Sequence, residues 1–307
     1  MRISIIVNPA AGNAAQAARL RDLSAGRAGV ELLETEGPGH GRELARAAVE
    51  AGADLVVAAG GDGTINEIVQ GLGPYRDRAR LALLPLGTGN DLARTLGVPL
   101  DPAEAFALLD EDHVEAQTRK LDLVHVESAG QTRYCLNVAA GGFSGQVDEA
   151  LTDDMKATWG PLAYLRSAMK VLPDLTGYQT TIAWDDQEFE RVEALNVIVA
   201  NGRTCAGGMR VASRASMEDG LLDVVIVRYA SLLDLAAVAA RLLAGTYLSS
   251  DEVMHRRASR VRIAAKPGMW FNVDGELLSN APISFSVEPR AIRVLVGPGY
   301  SAEGEAG

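Results

Sequence analysis

The chain of 307 residues holds only two cysteines, Cys135 and Cys205, and no Cys-x-x-Cys pair. No disulfide framework is therefore expected. Its four histidines, His40, His113, His125 and His255, are scattered without the spacing of metal ligands, so no zinc centre is expected. Basic residues are short: 29 Lys and Arg against 40 Asp and Glu leave a net charge of −11. A chain this acidic lacks the basic face that phosphate-backbone binding needs, which speaks against a nucleic-acid partner. It speaks more weakly against broad adhesion to anionic membranes. The most hydrophobic helical run, LLDLAAVAARLLAG (232–245), carries Asp234 and Arg241 and is too short to cross a bilayer. The chain opens directly as a strand, MRISIIVN, without the pattern of a signal peptide. A cytoplasmic protein without a transmembrane segment is expected.

Three nucleotide-binding signatures are also missing. There is no Gly-x4-Gly-Lys-[Ser/Thr], no Gly-x-Gly-x-x-Gly after the first strand, and no protein-kinase signature.

What is present begins with an ordinary globular balance, 48% apolar and 22% charged, in a length that suits two domains. Over the first 110 or so residues, short apolar runs (ISIIVN at 3–8, VELLET at 30–35, DLVVAAG at 54–60, RLALLPL at 80–86) alternate with segments of helical spacing. That alternation predicts βαβ units and a parallel sheet covered by helices. In such sheets ligands bind at the carboxyl ends of the strands. Here those ends are NPAAGN, ETEGPG, GGDGT and LGTGND, and all four should open on one edge.

From about residue 120 the pattern becomes short strands, several alternating apolar with polar, with AWDDQEF (183–189) as a hairpin turn. A mostly antiparallel β domain of two packed sheets is predicted, with helical inserts near 144–171 and 231–246. The last residues, GYSAEGEAG (299–307), read as a frayed tail.

A backbone stripped of side chains at a strand–helix junction can aim several N–H groups at one anion, and the helix dipole adds to the attraction. GGDGTINE (60–67) and PLGTGND (85–91) both have this form, with Thr64 and Thr88 offering hydroxyls and no lysine nearby. Bare Asp62 and Asp91 would repel a phosphate, so they make sense beside a divalent cation or a hydroxyl. The plain alternative is two tight turns whose Asp and Thr cap the following helices.

GGDGTINEIVQGL followed by LALLPLGTGNDLARTLGVP resembles the catalytic domain of diacylglycerol kinases, and the soluble bacterial lipid kinases among them most. These are in turn related to sphingosine kinases. VNPAAG (7–12), CLNVAAGGFSGQV (135–147), KATWGPLAYLRSAMKVL (156–172), the block 197–227 and FNVDGELL (271–278) continue the resemblance in order over most of the chain. It implies an α/β nucleotide-binding domain like those of NAD kinases and phosphofructokinases, over 1–122 and joined by the tail 290–307. It also implies a C-terminal antiparallel β-sandwich domain, 123–289, for the lipid.

The implied activity is transfer of the ATP γ-phosphoryl group to a lipid hydroxyl, with Mg²⁺ and a carboxylate base. The resemblance assigns the nucleotide to Asn8, Thr35, Gly60, Gly61, Asp62, Gly63, Thr64, Asn66 and Thr88. It assigns catalysis to the VDGE acids Asp274 and Glu276, with Asp62 a rival for the base. In SMEDGLLD (216–223), Asp219 with the carbonyls of Ser216 and Leu221 would form a separate structural Mg²⁺ site, with Glu218 and Asp223 nearby. Read without the family, VDGELL is a hairpin turn and the 216–223 acids are an Asp-Gly turn. The implied partner is a lipid met at the membrane surface, by a transiently membrane-associated protein and with a homodimer as the family expectation.

The sequence departs from the family's pattern twice. Arg214 stands where a proline is common, and the opening loop has no basic residue before Arg19. The second departure shifts weight from positive side chains to metal and backbone donors. The basic cluster HRRASRVR (255–262) reads as a charged strand edge rather than a headgroup site. Two rival readings stand beside the lipid kinase. An NAD kinase also uses GGDGT but needs an Asn-Glu pair where CLNVAAGG follows here. A silent nucleotide- or lipid-binding regulator would have lost Asp62 or the VDGE acids.

Overall fold

The computed structural model describes residues 1–12, 14–143, 177–185 and 189–303. The chain divides into two compact units, Met1–Leu123 with Pro289–Ala302, and Val124–Glu288 with Glu303–Gly307.

The first unit begins β1 (Ile3–Val7), α1 (Ala14–Ser24), β2 (Val30–Glu34), α2 (His40–Glu50), β3 (Leu55–Gly60), α3 (Asp62–Leu72) and β4 (Arg80–Pro85). Its strands run parallel in the order β2-β1-β3-β4, and the C-terminal half of β17 (Ile283–Leu295) pairs in parallel with β4 through Arg293 and Val294. β1 and β3 are buried at every position, as expected for strands with helices on both faces. Edge strand β2 is half-exposed. The register aligns Val7 with Glu34 and Ala59, and Gly60 with Pro85. The four glycine-rich strand ends therefore share one edge, as their spacing predicts.

α2 buries Gly41, Ala45, Ala48 and Val49 and turns Glu43 and Arg46 outward. It lies so close to α3 that a side chain at Gly71 would stand 2.9 Å from the Ala45 methyl. Short helices α4 (Asp91–Thr95), α5 (Pro102–Ala107) and α6 (Glu111–Gln117) complete the unit. The chain end is not frayed throughout. The Gly299 N–H donates to the Gly97 carbonyl and that of Tyr300 to Gly297, while Gly304–Gly307 lie outside the described residues.

The second unit is β-rich and almost wholly antiparallel. It takes in the C-terminal part of β5 (Thr118–Ser128), then β6 (Gln131–Cys135), β7 (Val138–Gly142), β8 (Tyr178–Trp184), β9 (Glu190–Ala200), the two-residue pair β10 (Thr204–Cys205) and β11 (Met209–Arg210), and β12 (Leu222–Arg228). Helix α7 (Leu232–Leu243) falls within the predicted second insert, and β13 (Val253–Ala258), β14 (Arg260–Lys266), β15 (Phe271–Val273) and β16 (Glu276–Ser279) follow. The predicted first insert, 144–171, lies outside the described residues. β8 and β9 form the predicted hairpin, although its turn is only partly described.

β9 pairs with β8 through residues 190–194 and with β7 through 196–200. This handover lets one strand serve two layers, as in a sandwich. The interior holds Trp184, Phe271 and Phe285, all fully buried. A second apolar cluster packs Val238 of α7 and Tyr247 against Ile198, Ala200 and Val225.

Candidate active site

In the first unit the carboxyl edge is tied together by side chains that bond to neighbouring loops. Asn8, just past β1, donates through Nδ2 to the Thr64 hydroxyl at 3.1 Å, and its Oδ1 accepts from Ala10 N–H. Thr35, just past β2, is buried, and its N–H donates to the Val7 carbonyl. Asn66 is buried within α3 and accepts from Gln70. Thr88 is exposed.

The glycines of GGDGT turn out to have separate reasons. None needs a left-handed backbone; Gly61, for example, has φ −90°. A Cβ on Gly60 would meet the Thr64 side chain at 2.5 Å, and one on Gly87 would meet the Gly61 Cα at 2.5 Å. Gly61 and Gly87 are thus required by packing between the two loops, and Gly60 by packing against Thr64 of its own loop. Only Gly63 faces open space, with nothing within 4 Å of a Cβ.

Asp62 opens α3, and its carboxylate reaches across to the neighbouring loop. Its Oδ1 accepts from Asp91 N–H at 2.7 Å, at the start of α4. Burial pushes this carboxyl above its ordinary range, and the N–H groups of Asn90, Asp91 and Leu92 pull the other way. One turn further along, Glu67 accepts from Gly39 N–H at 2.8 Å and Gly41 N–H at 2.9 Å, at the start of α2. Two acids of α3 therefore fill the positive ends of both neighbouring helices. The N-terminus of α3 is left uncapped: its N-cap is Gly61, and no described side chain accepts from Gly63 or Thr64 N–H. Unfilled backbone donors, the helix dipole and the space over Gly63 together form an anion cradle.

Sequence reading missed Glu67 and Asn90. Asn90 has φ 52° and exchanges two hydrogen bonds with Gly87, at 3.0 and 2.6 Å, which shapes the LGTGND turn. An asparagine between Gly and Asp at a helix start was the available signal.

In the second unit the VDGE acids lie apart in role. Asp274 stands in the left-handed region at φ 45°. Its carboxylate accepts from three consecutive backbone donors: Leu136 N–H at 2.7 Å, Asn137 N–H at 3.2 Å and Val138 N–H at 2.9 Å. Burial raises its pKa to about 6 despite these donors and a further bond from the Cys135 thiol. The Cys135 thiol is itself pushed up, by burial first and then by Asp274. Buried amides hold the 136–138 segment, since Asn201 donates to the Leu136 carbonyl and Asn137 to that of Thr204. Glu276, two residues on, pairs with Val273 through its backbone, and its side chain is exposed.

In the 216–221 loop Asp219, the acid expected to hold a metal, bonds to two neighbours. Asp219 Oδ1 accepts from Leu221 N–H at 3.0 Å, and Oδ2 is bonded by the Arg257 guanidinium. Ser216 Oγ accepts from Glu218 N–H at 3.3 Å. Arg257 is thus the cationic neighbour of the one acid expected to ligate. Among the described residues no three His, Cys, Asp or Glu side chains group around a possible ion. Asp223 is fully buried and pairs with His255 at 2.6 Å, and its Oδ2 faces Arg257 Nε at 3.6 Å. The basic cluster at 255–262 is thereby partly spent on acids, with Arg256 also at 3.3 Å from Glu190.

The diacylglycerol kinase catalytic domain model matches residues 2–126, and the YegS C-terminal NAD kinase beta sandwich-like domain model matches 137–296. The chain belongs to the diacylglycerol kinase family. It is 36% identical over 256 residues to a probable lipid kinase YegS-like protein of Pseudomonas aeruginosa, covering 83% of this chain and 81% of that one. It is 32% identical over 294 residues to a diacylglycerol kinase of Staphylococcus haemolyticus, covering 94% and 86%. A crystal structure of a Bacillus anthracis diacylglycerol kinase is similar in fold, with a TM-score of 0.71 at 22% identity over 98% of both chains. A second structure from that organism reaches a TM-score of 0.79 at 25% identity over the same coverage. This diacylglycerol kinase family member is an enzyme of the lipid kinase class. Among its described residues no helix is long and apolar enough to cross a membrane.

Proposed function

We propose that the protein transfers the γ-phosphoryl group of ATP to the hydroxyl of a membrane lipid. The observation that carries this reading is the contrast among three helix starts on one sheet edge. The starts of α2 and α4 are filled by Glu67 and Asp62, while the start of α3 has no side-chain cap and leaves open space where a Gly63 side chain would stand. Neutral backbone donors suit a phosphate chain. With no lysine in these loops, an acid beside the cradle calls for a divalent cation to bring the nucleotide in. Asp62 is the residue that would face it, since burial raises its carboxyl's pKa and a cation would pull it back down. Such a cation supplies charge neutralisation of the transferred phosphoryl group.

Asn8 and Thr64 fix the first-strand loop against the cradle. In the second unit Asp274 orients the VDGE turn through its three backbone bonds, which leaves Glu276 as the free carboxylate to take the hydroxyl proton. The relatives named lipid kinase and diacylglycerol kinase support a lipid acceptor.

A kinase assay with labelled ATP and Mg²⁺ against micellar lipids tests the reading. Phosphorylated lipid is expected from the wild type and not from Asp62→Asn or Glu276→Gln. Full activity in both variants would overturn the assigned roles.

A further inference from the structure

We propose that Glu67 is a positioning residue for nucleotide binding, and the proposal rests on the kinase reading above. Its carboxylate spans the start of α2, with one oxygen accepting from Gly39 N–H at 2.8 Å and the other from Gly41 N–H at 2.9 Å. The segment between β2 and α2 is thus locked onto α3, the helix whose N-terminus forms the cradle. The same segment carries Thr35, and its other internal bonds are short-range: Glu36 N–H to His40 Nδ1, and His40 N–H to the Gly37 carbonyl. Among the described hydrogen bonds of residues 36–41, those to Glu67 are the ones that reach another element.

The chain is built around this bond. A Cβ on Gly41 would stand 2.7 Å from Glu67 Oε2 and 3.3 Å from its Cβ, so position 41 excludes any side chain while Glu67 is in place. Gly39 has φ 84°, which turns its N–H into the carboxylate at a conformation other residues resist. The placement also has an electrostatic effect. An acid on the positive end of α2 removes that end as a rival phosphate site, so α3 keeps the anion. Glu67 thereby fixes both the wall and the position of the nucleotide without touching the reacting atoms.

The test compares wild type, Glu67→Ala, Glu67→Gln, Gly41→Ala and the Glu67→Ala/Gly41→Ala double variant. It reads KM for Mg-ATP, kcat, direct Mg-ATP binding, and amide exchange at Gly39 and Gly41. Glu67→Ala is expected to speed exchange at both amides and raise KM about tenfold, with kcat changed much less. Glu67→Gln, which keeps one acceptor oxygen, should recover part of the loss. Gly41→Ala should copy Glu67→Ala, and the double variant should be no worse than either, because both remove one bond. Faster exchange with unchanged KM and binding would make the bond merely structural and overturn the proposal. Wild-type protein that binds no Mg-ATP would instead overturn the kinase reading, and the nucleotide role of Glu67 with it. Should Glu67→Ala fail to fold, Glu67→Gln and Gly41→Ala carry the same comparison.

Discussion

The Asp62 carboxylate accepts a hydrogen bond from the backbone N–H of Asp91 at 2.7 Å, so the acid of one glycine-rich loop caps the helix after the other. Asp62 therefore has a structural task as well as a proposed catalytic one, and substitutions separate the two. Asp62→Asn keeps an acceptor for Asp91 and should melt within a few degrees of wild type. Asp62→Ala should lose about 1 kcal/mol, the usual worth of a cap. Both should lose at least about 100-fold in kcat if the carboxylate faces the metal. Wild-type turnover by Asp62→Asn would leave only the cap.

The glycines offer a sharper contrast. Gly87→Ala forces a Cβ against the Gly61 backbone at 2.5 Å, and rigid overpacking of this kind costs about 1–3 kcal/mol. Gly63→Ala meets nothing within 4 Å and lies in the first turn of α3, so it should be neutral or stabilise by up to about 1 kcal/mol. It should nonetheless weaken Mg-ATP binding, because the added methyl projects into the space over the cradle. Thermal melts and nucleotide titration of the two variants check this.

Glu276 is exposed, so Glu276→Gln should leave the melting temperature unchanged. Loss of a general base lowers kcat by about 10²–10⁴-fold. A kcat within about threefold of wild type would remove Glu276 from the chemistry.

Asp274 predicts a pH signature. Its folded pKa is raised to about 6, against about 3.9 in an unfolded chain. The folded state therefore holds the proton more tightly, and this group's stabilising contribution is full below pH ~4 and lost as pH rises through ~6. A shift of roughly two units corresponds to about 3 kcal/mol, as an order of magnitude. Comparing urea unfolding of wild type and Asp274→Asn between pH 4 and 7 isolates it. The difference in stability between the two proteins should change over that window and be flat above it. A constant difference across the window would contradict the assigned burial.

The buried pair of Asp223 and His255, flanked by Arg257, gives the last prediction. Asp223→Ala leaves His255 without its acid while Arg257 keeps Asp219, and should cost about 1–3 kcal/mol. Arg257 also pairs with Asp219, and a melt with and without EDTA decides whether that pair alone holds the 216–221 loop, in which case the melting temperature stays unchanged. A marked drop on chelation would show that an ion does bind in the 216–221 loop.

Much of the first unit could be read from local pattern. Continuous apolar runs such as ISIIV and LVVAAG have the composition of strands covered on both faces, and the 3.6-residue spacing in GRELARAAVE marks α2. Runs of glycine at strand ends located the cradle for the same reason, since both signals lie within a few neighbouring residues. The roles proposed for Asp274 and Glu276 came from the family resemblance, since local pattern alone reads VDGELL as a hairpin turn.

Partnerships across long separations were not legible. Nothing local says that Glu67 bonds to Gly39 and Gly41, that Asp62 caps α4, or that Asp274 is held by the backbone of Leu136, Asn137 and Val138. Each of these bonds joins residues 26 to 138 positions apart, and a carboxylate's partner is set by which backbone donors the packed elements bring to it. Likewise, the sequence marked Gly60, Gly61 and Gly63 alike, whereas packing separated two glycines that make room for protein from one that leaves room for a ligand. Residue type and spacing determined where chemistry is available on this chain. Only the tertiary structure decided which acids are spent on holding the fold and which remain free, because burial and hydrogen-bond geometry arise from elements distant in sequence.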